Sequence, residues 1–150
     1  MKFQFVWVGK TRDKNWAALQ TEYLERLSHF VKFEITQLKD AAGPTQIDLE
    51  GNEILASLNQ STFVILLDVK GRPLSSHELA GEIERWQGRG IREAAFVIGG
   101  AKGVSSQVAE RADLALSLSF LTFTHEMARV TLTEQLYRAF TIIKGFPYQK

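Results

Sequence analysis

The chain contains no cysteine, so disulfides, thiolate metal ligands and a cysteine nucleophile are all excluded. Its three histidines, His29, His77 and His125, are too scattered to predict a metal cluster, and none is expected. Charge of one sign is scarce as well: the formal net charge is +1, so no global field draws nucleic acid, and any such contact needs a local patch. No apolar run approaches the ~20 residues that span a bilayer. The opening MKFQFVWVGKTRDK lacks a signal peptide's long apolar stretch and small-residue cleavage site. These absences point to a soluble, cytoplasmic protein without membrane or metal partners.

What is present is ordinary globular composition, 45% hydrophobic and 23% charged over 150 residues. A chain of that length buries roughly 70% of its unfolded surface and makes a core without staples. With no linker or repeat, residues 1–150 read as a single domain. In KFQFVWV, Phe3, Phe5 and Trp7 alternate with Gln4, Val6 and Val8, a strand apolar on both faces. Trp16, Leu19, Tyr23 and Leu27 then recur at helical spacing. Phe33 to Leu38 reads as a second strand, Asp40 to Thr45 as a loop, and Ile47 to Leu58 as a modest helix. TFVILLDV (62–69) is the kind of continuous apolar run found in central parallel strands. Gly71 and Pro73 are expected to turn the chain, and Ser75 with Glu78 forms a capping-box signature for the next helix. AAFVI (94–98) is another buried strand, LALSL (114–118) a fifth, and residues 126–144 the longest helix, ended by Gly145 and Pro147. Strands alternating with helices throughout predict an α/β fold, a parallel sheet flanked by helices.

Gly9-Lys10-Thr11 after a strand suggests a phosphate loop, but the glycine that motif needs five residues before its second glycine is Gln4, within the strand. The segment instead reads as a turn with Thr11 or Asp13 capping the helix. Gly99-Gly100-Ala101-Lys102-Gly103 follows a buried strand, the place where ligands bind in open α/β sheets. Its spacing is not the dinucleotide fingerprint, so a nucleotide-binding oxidoreductase is a weak reading, and a tight turn without a ligand fits equally well. On the last helix, Glu134 and Arg138 are spaced as an ion pair, worth a few tenths of a kcal/mol if exposed. Met127, Val130, Leu136, Phe140 and Ile143 form a core or dimer stripe. In the tail, the aromatics Phe146 and Tyr148 suggest docking; Tyr148 can stack on a base and Lys150 can meet a phosphate.

FVIGGAKGVS (96–105), LSLSFLTFTHEMARV (116–130) and EQLYRAFTIIKGFPYQK (134–150), with VGKTRDKNW near the front, carry a resemblance over essentially the whole chain to the RlmH family. These are small bacterial SPOUT-class methyltransferases of ribosomal RNA. The resemblance implies a C-terminal trefoil knot, a homodimer, an S-adenosylmethionine site, and methylation of N3 of a pseudouridine in large-subunit rRNA on the assembled ribosome. A non-catalytic ribosome-binding protein with the same fold is the alternative. The implied cofactor residues are Leu67, Gly99, Gly100, Ser119, Phe120, Leu121, Thr122, Phe123 and Thr124. The implied catalytic set is His125, Arg138, Tyr148, Gln149 and Lys150, with Arg138 orienting or stabilising the imide. Lys10, Arg12, Lys14 and Arg129 are expected to contact RNA. Two positions depart from the family pattern. Gln149 stands where a histidine is usual and cannot accept a proton as histidine can, so an orienting role is expected there. Thr124 replaces a proline.

Overall fold

The computed structural model describes residues 1–148. Five strands, β1 (Lys2–Val8), β2 (Lys32–Leu38), β3 (Phe63–Pro73), β4 (Glu93–Ile98) and β5 (Leu114–Ser117), form one sheet in the order β2-β1-β4-β3-β5. Every neighbouring pair is parallel. Helices α1 (Lys14–Ser28), α2 (Gln46–Ala56), α3 (Ser76–Gly88) and α4 (Ser106–Arg111) supply the crossovers, and α5 (His125–Lys144) follows the last strand.

The alternation in β1 sorts its side chains onto two cores. Phe3, Phe5 and Trp7 join Ile65, Phe96 and Ile98 on one sheet face, where Leu24 and Leu27 of α1, Ile83 and Trp86 of α3, and Leu132, Leu136 and Phe140 of α5 cover them. Val6, Val8, Val64, Leu66 and Val97 face the other way, against Ile54 of α2 and Val108 of α4. The larger core is aromatic. Phe3 meets Phe96 edge-on at 5.0 Å, and Phe30 stacks on Phe140 at 5.6 Å. Such pairs contribute about 0.5–1.5 kcal/mol each beyond the area they bury.

Local chemistry sets the helix ends. Asp13 accepts from the Asn15 and Trp16 N–H groups to start α1. Ser75 and Glu78 close the expected capping box at α3, and this holds the Glu78 carboxyl below its ordinary pKa, chiefly through the Ser75 backbone N–H. Thr124 caps α5. At its other end Gly145 adopts φ +70°, and the Phe146 N–H donates to Thr141 O at 2.8 Å. This is the left-handed glycine closure that releases the chain from a helix.

One expectation fails. Gly71 and Pro73 do not turn the chain; they lie within β3. The β3–β5 ladder pairs Leu67 with Leu116, skips, and resumes with Arg72 opposite the same Leu116. Residues 68–71 therefore bulge from the sheet. Gly71 is needed because a Cβ there would sit 2.7 Å from the Ala115 carbonyl carbon. Two further side chains, Leu19 and Leu49, are expected on apolar helix faces but are exposed.

Candidate functional site

Three strands adjacent in the sheet, β4, β3 and β5, end around one cleft of about 690 Å³. One wall is the bulge of β3, with Leu67, Asp68, Val69 and Lys70. A second is the loop from Gly99 to Val104 after β4. The third is the segment after β5, with Leu118, Ser119, Leu121, Thr122 and Phe123, closed by His125 at the start of α5. Ser117 ties two walls together: its hydroxyl lies 3.0 Å from Val69 O and 3.1 Å from Ser119 O. The cleft combines exposed main chain with leucine side chains, as small-ligand sites do.

The structure thus brings Leu67, Gly99, Gly100, Ser119, Leu121, Thr122 and Phe123 around a common cleft. Phe120 and Thr124 do not line it: Phe120 is 71% exposed, and the Thr124 hydroxyl accepts from Met127 N. His125, expected in the catalytic set, lies on the cleft itself. Asp68, Lys70 and Lys102 also line it, unanticipated by sequence reading. For Asp68 and Lys70 the signal was the Gly71–Pro73 pair, read as a turn when the glycine instead serves a close strand approach, whereas Lys102 sits within the glycine loop itself.

The paired glycines answer to their own chain. A Cβ on Gly99 would lie 2.5 Å from Val104 Cγ1, and one on Gly100 would lie 2.5 Å from Glu50 Oε1. Glu50, on α2, is only 3% exposed. Its Oε2 accepts from Ala41 N (3.0 Å) and Gln46 Nε2 (3.2 Å), while Oε1 has no partner among the described residues.

The remaining expected residues are elsewhere. Arg138 lies thirteen residues beyond His125 on α5, about 20 Å along the axis. It is not half of an exposed ion pair. Its Nη2 and Nε donate to Glu134 Oε1 at 2.5 and 3.0 Å, with both side chains largely buried. Tyr148 Oη donates to the same oxygen at 2.9 Å, and the Tyr148 ring lies 4.7 Å under the Arg138 guanidinium and 4.8 Å from Tyr137. The tail does dock up to Tyr148. Burial, then the bond to Glu134, holds the Tyr148 phenol above its ordinary pKa, and the hydrogen bond to Glu134 raises that of Arg138. Gln149 and Lys150 lie outside the described residues.

Arg129 corrects the sequence reading. It is 1% exposed, so it offers no surface to RNA. Its Nη2 donates to Val8 O at 2.8 Å and its Nη1 to Thr11 Oγ1 at 3.0 Å, with the guanidinium over the Trp7 ring at 5.3 Å. Burial lowers its pKa, opposed by the carboxylates of Glu126 and Asp40. The available signal was spacing: 129, 132, 136 and 140 fall on one helical stripe. Lys10, Arg12 and Lys14 are exposed.

A parallel sheet covered on both faces, with a nucleotide-sized cleft of main chain and leucines at its strand ends, defines an α/β protein built to hold a small organic ligand. The family described as "predicted SPOUT methyltransferase" matches residues 1–149. A protein named ribosomal RNA large subunit methyltransferase H from Desulfotalea psychrophila is 42% identical to this chain, over 100% of both chains. One of the same name from Christiangramia forsetii is also 42% identical, over 99% of this chain and 98% of its own. A third, from Streptococcus pneumoniae, is 38% identical over 100% of both. A solved structure of a probable methylase family protein from Haemophilus influenzae shares the fold, with a TM-score of 0.59 and 12% identity over 99% of this chain and 70% of its own. The chain belongs to the SPOUT methyltransferase family.

No group of three or more metal-ligating side chains occurs among the described residues, and no helix there is long and apolar enough to cross a membrane.

Proposed function

We propose that this chain is a cytoplasmic ribosomal RNA methyltransferase that moves a methyl group from S-adenosylmethionine to N3 of a pseudouridine in the large subunit of the assembled ribosome. The observation that carries the reading is the shared cleft: the glycine loop and the segment after β5, separate in sequence, wall the same space. The names of the full-length relatives agree with the RNA substrate.

The cleft residues fit the methyl donor. Leucines 66, 67, 116, 118 and 121 give an apolar enclosure for a purine, and the main chain at Gly99–Gly103 gives hydrogen-bonding groups for its edges and ribose. Asp68, Lys70 and Lys102 offer charges of both signs to an amino-acid moiety. When bound, the sulfonium supplies an electrophilic methyl, so the protein's task is chiefly alignment. The nucleophile would be N3 of the base, whose proton would pass to solvent water as the N–C bond forms and the methyl–sulfur bond breaks, leaving a neutral thioether. Arg138, oriented by Glu134, stabilises the imide charge, and Tyr148 stacks beside it. Gln149 orients the base and Lys150 holds a phosphate, while Lys10, Arg12 and Lys14 meet the RNA backbone.

In one protomer the Arg138–Tyr148 cluster lies about 20 Å along α5 from the cleft, too far to act on a methyl held there. A homodimer resolves this, the tail of one copy meeting the cleft of the other. Phe120 and Leu121, 71% and 74% exposed, are apolar groups that a partner would cover. The trefoil knot of the family, drawn through the loops that build the cleft, belongs to the same reading.

The test is methyl incorporation into ribosomes from cells lacking the modification. Label at a single large-subunit pseudouridine is expected. Tight cofactor binding without incorporation would refute the reading in favour of a ribosome-binding protein. Mixing an Arg138→Ala protomer with a cleft-defective one should restore activity if sites are shared between copies.

A further inference from the structure

A second concavity, of about 530 Å³, opens where β1 and β2 end, beside Lys10, Arg12, Lys39 and Asp40. Three cations face one carboxylate there. Asp40 engages Arg12, through Nη2 at 3.8 Å, whereas Lys10 and Lys39 have no ion pair among the described residues. The loops after the two strands are joined: Gly9 takes φ +87° and donates its N–H to Leu38 O at 2.8 Å. A side chain at Gly9 would be strained at that φ and would also strike Asp40 Oδ1 at 2.6 Å.

This cationic loop is fastened to the helix that closes the methyl-donor cleft. The Glu126 carboxylate accepts from the backbone N–H of Arg12 and, at 3.3 Å, from that of Asp13. Buried Arg129 holds Val8 O and Thr11 Oγ1 from the next turn. The residue before Glu126 is His125, which lines the cleft. Four bonds across more than a hundred residues of sequence therefore fix the loop relative to the methyl donor. Both concavities lie at the same edge of the sheet, two to three strand spacings apart, roughly 12 Å.

We propose that the pocket at the ends of β1 and β2 is a phosphodiester-binding site, in which Lys10, Arg12 and Lys39 grip the rRNA backbone at a set distance from the transferred methyl. Arg129 and Glu126 are its positioning residues. The site rests on the ribosomal RNA reading and adds to it a defined anchor. It also accounts for RNA binding by a chain of net charge +1: the charge is local and held in place.

The test compares Lys10→Gln/Lys39→Gln with wild type, using unmodified large ribosomal subunits. The KM for subunits should rise roughly tenfold, and log(kcat/KM) should fall less steeply with log salt, by roughly 0.7–0.9 for each phosphate left without its lysine. Affinity for S-adenosylmethionine by calorimetry should not change. A charge-matched pair at the opposite strand ends, Lys32→Gln/Arg92→Gln, should leave KM and slope as they were. An unchanged KM and slope in the first variant, or an equal change in the second, would overturn the site. Should the wild type transfer no methyl, the methylation reading falls, and salt-dependent co-sedimentation of both variants with subunits still decides the phosphate site.

Discussion

Alanine at position 100 tests what the glycine loop is for. A glycine beside a ligand cleft suggests that the ligand needs the room. The structure instead aims the missing Cβ at α2, where it would lie 2.5 Å from Glu50 Oε1 and 3.2 Å from Cδ and Oε2. Reaching ordinary contact at 3.4 Å requires a shift of about 0.9 Å. Glu50 is poorly able to give: it is 3% exposed, and Oε2 is held by Ala41 N and Gln46 Nε2. Crowding of this kind costs about 1–3 kcal/mol. Gly100→Ala should therefore lower the urea midpoint by that free energy, and the displaced loop should weaken S-adenosylmethionine binding in calorimetry. The decisive measurement is the double-mutant cycle. With Glu50→Ala the obstacle is gone, so Gly100→Ala should then cost little, giving a coupling of about 1–2 kcal/mol. A Gly100→Ala protein as stable as wild type, or an identical cost in both backgrounds, would refute the packing argument and return the glycine to ligand access.

Two other outcomes follow from the last helix. The Tyr148 phenol holds its proton more tightly in the folded chain than at its unfolded value of 10.0, so its contribution to stability is complete below pH 10 and is lost as pH rises beyond it. Thermal melting from pH 8 to 11 should show this alkaline fall, and Tyr148→Phe should flatten it while costing about 1 kcal/mol at neutral pH; an unaltered alkaline limb would disprove it. Arg129→Lys keeps the charge but cannot reach both Val8 O and Thr11 Oγ1, so urea unfolding should show a loss of roughly 2–3 kcal/mol. Undiminished stability together with weakened RNA affinity would restore the surface role that burial denies it.

The fold was largely legible because burial leaves a periodic trace. Period two in β1 separates Phe3, Phe5 and Trp7 from Val6 and Val8, and the structure places them in two different cores. Caps were legible for the same local reason: Asp13 and Ser75 act within three residues of themselves. The bulge at 68–71 was not, since Gly71 answers to Ala115, a neighbour across the sheet that no local pattern reveals. Arg129 misled through its chemistry. An arginine suggests a surface cation, yet its position on the stripe of Leu132, Leu136 and Phe140 marks it as inward. The Gly99–Gly103 loop was legible from its place after a buried strand, whereas Leu67 and the segment after β5 emerged only through family resemblance, because scattered apolar side chains and exposed main chain carry little local signature.

The position of the tail follows from the length of α5. Its first residue closes the cleft, its first turns hold the β1 loop through Glu126 and Arg129, and further along it carries Glu134 and Arg138, on which Tyr148 rests. A helix is rigid at 1.5 Å per residue, so these stations cannot approach one another within a protomer. Bringing Arg138 to its own cleft would require breaking α5 between residues 125 and 138. That stretch includes Val130, Leu132 and Leu136, all buried, the last two fully, and the helix dissolves only with the aromatic core. On the methyltransferase reading, a second copy is then a requirement of the chemistry: the same stiffness that separates donor and tail within one chain lets two chains present them to each other at a fixed spacing.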